Sequence, residues 1–395
     1  MTPIHRESPR QSIRALIAAA AVLSLGAACT RHRDGAPEAE FLLAAGDSTY
    51  WLRNVGGNLQ MRGSPIVIVR VDGRFRELYV VDEDRSYERA LFVGQRLYQR
   101  DLITSDSTVV YRDTIVSAMA AVFERRNPEA RRLAPDEDPS EDPAITASAD
   151  VSVLGVHGPF LSLEYHVDTS GAGDTSWHMT RHAVVDLRTG REASLADVLG
   201  AGQAATVVNQ GRQAHRETMD SVRADTRPAA RLAARVLERF RFDPRSFSLA
   251  APGGTLMVAF SAPGAGTGGE GFALPIRLVQ VAQPEWWAEA RSSLPTESRS
   301  SEERWTREGY TVQAEYDTSV QSVRLSVVDS AGRGFQMGTV TAPVHRIYWL
   351  DQPPIDQVQR SALGRAFDDA ALYDESARTV HGGGQSPSPR LVSRP

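Results

Sequence analysis

His157, Glu164, His166, His178 and His182 fall in one short stretch of the chain, and imidazole with carboxylate is a donor set that suits zinc. Geometry limits how they can act. On a single strand His178 and His182 would share a face yet stand about 13 Å apart at roughly 3.3 Å per residue, too far to hold one ion together. A shared ligand must therefore be gripped from neighbouring strands; failing that, the five are partly exposed strand residues. They are candidate ligand-binding positions, and the sequence alone calls for no metal, no cofactor and no catalytic residue.

A second candidate is cationic. Arg227, Arg231, Arg235 and Arg239 recur every fourth residue, which lines them along one face of a helix. Such a stripe could meet anionic glycan or lipid head groups, or be an ordinary solvated face. Other patterns fail on context. Gly264-Ala265-Gly266-Thr267-Gly268-Gly269 has the spacing of a dinucleotide loop, but a strand follows it where a helix N-terminus should hold the phosphates. Gly46-Asp47-Ser48 lacks a companion histidine block for a serine nucleophile and reads as a turn. The acidic run Pro135 to Pro143 has no alternating ligands around a turn glycine, so it reads as a solvated linker and not a calcium loop. All 44 basic residues are arginine, which removes lysine Schiff-base chemistry and any phosphate loop that needs lysine. A net charge of −5 gives no general attraction to nucleic acid.

The address is written at the start. Arg6, Arg10 and Arg14 precede the apolar run Ala15 to Leu25, then Gly26, Ala27, Ala28 and Cys29, the three parts of a signal peptide. The run is shorter than the roughly 20 residues a bilayer requires. Cys29 is the only cysteine, and it stands where a lipoprotein signal peptidase would leave it as the new N-terminus. Leu25-Gly26-Ala27-Ala28-Cys29 resembles a lipobox, with the leucine one step further back than usual. Thr30 follows in place of aspartate, which points to the outer membrane over the inner in a two-membrane cell. With no second cysteine there is no internal disulfide, so packing alone must stabilise the exported body. With 41% hydrophobic and 24% charged residues over 395 positions, a substantial core is available.

Periodicity places the elements. Ile66 to Val71 and Arg74 to Val81 are strands around Asp72-Gly73, a type I′ hairpin signal, and Arg89 to Gln95 and Thr108 to Arg112 continue them. Ile115, Val116, Met119, Val122 and Phe123 share a helical face, with Asp113 as N-cap and Asn127-Pro128 as stop. Ala147 to Val156, Phe160 to Val167 and His178 to Asp186 are strands, and Ser194 caps a short helix ending at Gly200. Helices over Ala204 to Val222 and Pro228 to Phe240 precede two strands, Ser248 to Phe260 and Phe272 to Val281, and a short helix over Glu285 to Ser293. Pro295 to Glu303 reads as a linker. Tyr310 to Tyr316, Ser322 to Val328, Phe335 to Val340 and His345 to Leu350 are strands, and Pro354 starts a helix with Ile355, Val358, Leu363, Phe367 and Leu372 on its apolar face.

The expected fold class is α+β: antiparallel sheets with helices packed on one face, in several modules. Residues 1–28 are the signal peptide, 29–40 a lipidated tether, 41–133 a strand-rich region with one helix and 134–146 an acidic linker. Residues 147–290 form the central domain, 304–377 a β-rich module with a terminal helix, and 378–395 a disordered tail.

Within the central block, Val185-Asp186-Leu187-Arg188-Thr189-Gly190 is followed by Ala193-Ser194-Leu195-Ala196-Asp197-Val198-Leu199, then Ser246-Phe247-Ser248-Leu249 and a glycine-rich loop before Phe272-Ala273-Leu274-Pro275-Ile276. This order resembles the extracytoplasmic domain of the RsiV-type anti-sigma factors, which sense lysozyme, and of some peptidoglycan deacetylases. Where that family often has Gly-Gly-Ala-His between paired strands, this chain has Gly171-Ala172-Gly173-Asp174, with His178 further on. The resemblance implies a mixed α+β domain outside the cytoplasm and a cell-wall-related partner. The expectation is a membrane-anchored envelope lipoprotein whose periplasm-facing domain binds or senses a cell-wall glycan or an envelope protein without catalysis. The alternatives are a cell-wall polysaccharide enzyme or its accessory domain, and a structural envelope component.

Overall fold

The computed structural model describes residues 35–134, 137, 143–171, 177–227, 230–231, 234, 238, 242–262, 264–265, 272–278 and 282–380. Cys29 and the expected signal peptide, most of the acidic run, most of the expected helix over 228–240 and the residues from 381 lie outside them. Among the described residues no helix is long and apolar enough to cross a membrane.

The apolar run of β1 (Glu40–Ala45) is buried on both faces. Phe41, Leu43 and Ala45 enter one core with Trp305, Val312 and Leu325, whereas Leu42 enters another with Trp51, Ile68, Phe75, Leu363 and Phe367. Burying such side chains is worth about 1.5–3 kcal/mol each, so a strand that joins two cores has reason to sit centrally. It does: β2 (Ser48–Val55) and β3 (Asn58–Ser64) continue the sheet on one side, and β21 (Val344–Trp349), from the far end of the sequence, pairs on the other. Gly46, at φ +60°, begins the β1–β2 turn.

The larger sheet contains β4 (Val67–Val71), β5 (Arg74–Tyr87), β6 (Ala90–Asp101), β7 (Ser107–Arg112), β8 (Ile145–His157), β9 (Phe160–Gly171), β10 (Trp177–Asp186) and β11 (Arg191–Glu192). Its order is β11-β10-β9-β8-β6-β5-β4, with β7 beside β6. Asp72 and Gly73 take φ +50° and +75°, as a type I′ turn requires. The sheets are otherwise antiparallel, but β6 and β8 run parallel, pairing Ala90 with Ile145 and Val93 with Ser148. In chain order the acidic stretch thus falls between strands of one sheet and not between two sheets. One face carries α1 (Ile115–Arg126) through Val116 and Ala120. Asp113 caps it as expected, its carboxylate accepting from the amides of Ile115, Val116 and Ser117 at 2.9, 3.1 and 2.9 Å, although Thr114 is the residue at the helix boundary.

Among the described residues, the opposite face is covered at one end only. The covering layer is α2 (Leu195–Leu199), α3 (Ala201–Ala224), β12 (Phe247–Ala250), β13 (Met257–Ala262), β15 (Phe272–Arg277) and α4 (Trp286–Arg291), while β14 (Gly264–Ala265) adds to the edge of β10. Ser194 and Asp197 make a reciprocal capping box on α2. A Cβ at Gly211 would come within 2.7 Å of the Phe260 ring, so glycine is what lets α3 close on the hairpin. Ser248 to Phe260 is not one strand, as its apolar pattern suggested: Pro252-Gly253-Gly254 forms a 3-10 turn, with Gly253 at φ +58°, and the segment folds back as β12 and β13.

Residues 295–303 are not a linker either. β16 (Glu297–Arg299) and the start of β17 (Glu302–Arg307) form the edge of a five-stranded antiparallel sheet completed by β18 (Tyr310–Asp317), β19 (Ser322–Asp329) and β20 (Gly334–Val340). Their charged, exposed side chains belong to an edge strand. The last helix, α5 (Gln357–Val380), buries Ala362, Leu363, Ala366 and Phe367 but leaves Val358 58% exposed. Its buried stripe is therefore narrower and richer in alanine than the apolar residues alone implied.

Candidate functional site

Strands β9 and β10 pair Glu164 with His182, His166 with Thr180 and Asp168 with His178. Cross-strand partners and every second residue share a face, so all six side chains project to the same side. That side is the one the second layer covers only in part. From Phe160 to Leu163 every residue of β9 is buried, and from Glu164 burial alternates. The change coincides with the reach of the covering hairpin, whose Leu249 amide donates to the Ser162 hydroxyl at 2.9 Å. Beyond that point the odd-numbered side chains Tyr165 and Val167 still enter the core beneath α1, while the even-numbered ones face outward.

The outward ladder has a defined geometry. His166 Nε2 lies 3.0 Å from Asp168 Oδ1, and His178 Nδ1 closes on the same oxygen. The other ring nitrogen of His166, Nδ1, is 2.9 Å from the Thr180 hydroxyl. The two rings stack, with centroids 6.4 Å apart and planes inclined by 16°. One donor atom from each of His166, Asp168 and His178 lies within 4.8 Å of the others, the only such trio among the described residues. The neighbouring rung is His182 Nε2 to Glu164 Oε2 at 2.9 Å. On the adjoining strand β8, exposed Ser148, Asp150 and Ser152 stand in register with Asp168, His166 and Glu164.

Electrostatics follows from these contacts. Partial burial alone would raise the Asp168 carboxyl, but the His178 hydrogen bond and the charge and hydrogen bond of His166 outweigh it and hold the group below the usual carboxylate range. Two lone pairs cannot face one another at hydrogen-bond distance. Each ring nitrogen turned toward Asp168 Oδ1 must therefore carry a proton or share a cation with it.

Four of the five sequence candidates, His166, His178, His182 and Glu164, thus share one face of the sheet; His166, His178 and Glu164 are more than one-third exposed, whereas His182, nearer the second layer, is only 13% exposed. His157 does not join them. It ends β8, is 9% exposed, and its ring lies 6.4 Å from that of Trp287. Burial, with the nearby charges of Arg346 and His345, lowers its pKa to about 3 and keeps the imidazole neutral. Arg346 is buried beside it and donates to the Val156 carbonyl at 2.8 Å. Asp168 and Thr180 were not singled out from sequence; the signal was the alternation Glu164-x-His166-x-Asp168, which places a second carboxylate on the histidine face.

The other candidates resolve simply. Arg227 is exposed and folds back on Asp225, its Nε 2.8 Å from Oδ2. Arg231 is exposed, and Arg235 and Arg239 lie outside the described residues. Gly264 pairs with Thr180 as part of β14, so the glycine pattern begins in a strand. Asp47 sits in the β1–β2 turn and Ser48 opens β2. A separate cavity of about 270 Å³ lies where the modules meet, lined among others by Arg70, Pro159, Ser293, Arg307 and Trp349.

No family profile matches the chain, and no curated protein matches it. Among solved structures, a DUF3298 family protein from Pseudomonas aeruginosa PAO1 is similar over 53% of this chain and 96% of its own, with 15% identity and a TM-score of 0.32.

Proposed function

We propose that the protein is an exported lipoprotein, anchored to the envelope membrane through Cys29, that presents the uncovered end of the β8–β10 face as a non-enzymatic binding or sensing surface. One observation carries the reading: six polar side chains with proton- and ligand-binding chemistry line up on one face of β9 and β10, toward the end that the described residues of the second layer leave uncovered. Exposed β faces without function carry mixed polar residues; this one concentrates three histidines and two carboxylates. The lone cysteine directly behind an apolar run and small residues supports the anchor, and several acyl chains on it would hold the protein stably where one would hold it only marginally. The motif order that resembles the RsiV-type sensor domain supports a cell-wall glycan or an envelope protein as partner. In this chain those residues build the turn after β10 and the capped helix α2.

Growth with labelled palmitate tests the anchor: label enters the mature chain and is lost in Cys29→Ser, which leaves the membrane pellet. An unlabelled chain, or a Cys29→Ser protein that stays in the pellet, contradicts it. Co-purification from envelope extracts tests the face: a partner held by the wild type is lost when Glu164, Asp168 and His182 are replaced by alanine, and equal retention ends the assignment. A second reading, an enzyme of cell-wall polysaccharide, is favoured by the grouping of two imidazoles with a carboxylate. It requires hydrolysis of wall polymer that Asp168→Asn abolishes.

A further inference from the structure

We infer that His166, Asp168 and His178 bind a divalent transition-metal cation of the zinc class. The inference deepens the reading of this face as a binding surface and rests on it only for the face's purpose, not for the chemistry.

The donors select the ion. Imidazole nitrogens favour zinc and its neighbours, whereas calcium and magnesium take oxygen ligands. Two histidines and one carboxylate are a three-ligand set that leaves at least one position for water or an incoming group. Position supports it equally. Zinc with nitrogen and oxygen ligands at about 2.0–2.2 Å in a tetrahedral arrangement needs donor atoms a little over 3 Å apart. Here Nε2 of His166 and Oδ1 of Asp168 are 3.0 Å apart, and all three donors fit within 4.8 Å.

The surroundings orient the ligands. Metal-binding imidazoles usually engage a hydrogen-bond partner through the ring nitrogen that does not ligate. Thr180 does this for His166: its hydroxyl meets Nδ1 and leaves Nε2 toward Asp168. Without an ion, protons must stand between each ring nitrogen and the shared Oδ1; an ion displaces them and satisfies all three atoms together. Exposed Asp150, in register with His166 on β8, adds negative potential on the same face.

Titration of the untagged full-length protein in detergent at neutral pH with zinc alone, read by calorimetry and by competition with a chromophoric chelator, tests the inference. One equivalent binds. His166→Ala, His178→Ala and Asp168→Asn each weaken binding at least tenfold, Thr180→Val weakens it about tenfold, and His157→Gln leaves it unchanged. Calcium in excess does not compete. Circular dichroism without metal, unchanged across the variants, shows that each still folds. Absence of a bound equivalent in the wild type, or undiminished affinity in the His166/His178 double variant, overturns the site. Zinc binding by a chain that captures no envelope partner would leave this inference standing and remove the proposed function; partner capture without zinc binding would do the reverse.

Discussion

The two ends of the β8–β10 surface carry the same residue type in opposite circumstances. At the covered end His157 lies against Trp287 beneath the second layer, held neutral by burial. The His157 Nδ1 and Trp287 Nε1 atoms have no hydrogen-bond partner among the described residues. At the open end His166 and His178 are about one-third exposed and share a carboxylate. The difference comes from layering, not from residue choice. Where helix and hairpin cover the sheet, a histidine is packing volume that must not ionise; where they stop, a histidine can meet a ligand from solution.

The largest expected contrast is in stability. Trp287 is 1% exposed at the covered end, and Trp287→Ala should destabilise the fold by about 3–5 kcal/mol in urea or guanidinium unfolding. A loss below about 1 kcal/mol would mean the second layer does not grip that end.

Acid should separate the ends next. The folded pKa of His157 is depressed to about 3, below the roughly 6.5 of an unfolded histidine. The unfolded chain takes up a proton as pH falls through 6.5, and the folded chain does not until near 3. Stability from this group is therefore complete above 6.5 and drains as pH falls, at up to about 1.4 kcal/mol per unit. Between pH 7 and 5 the loss is about 2 kcal/mol, and His157→Gln should remove it. Identical pH slopes in wild type and variant would show that His157 ionises freely.

At the open end the double variant His166→Ala/His178→Ala should change metal-free stability by less than about 1 kcal/mol, because exposed ion pairs contribute little. A larger loss would make the ladder a structural element. Smallest of all, charge reversal at Arg227 and Arg231, both exposed, should move the unfolding midpoint by no more than about 0.5 kcal/mol equivalent and leave partner capture intact. Lost capture would return the arginine row to the binding surface.

How legible this was depended on range. Asp72-Gly73, the Ser194 cap and the alternation of β8 to β10 are local signals, and they fix their elements. The β1–β21 pairing joins residues some 300 positions apart, and the parallel β6–β8 contact crosses a helix and an acidic stretch; no short-range periodicity encodes either. Val358 looked like core because it is apolar, yet the alanines at 362 and 366 face inward, since the tight approach of a helix favours small residues. The crowding of the five candidate side chains was visible in the sequence, but which of them share a face and come within bonding distance was not, because that depends on the β9–β10 register, and His157 differs only through a layer the sequence does not draw.

The most direct test of the contrast is imidazole nitrogen NMR of the isotope-labelled full chain, with and without one equivalent of zinc. With zinc bound at the open end, the His166 and His178 ring signals shift to metal-bound positions while His157 stays as a neutral, unmoved imidazole. Unmoved His166 and His178 signals, or a shift confined to His157, would contradict it.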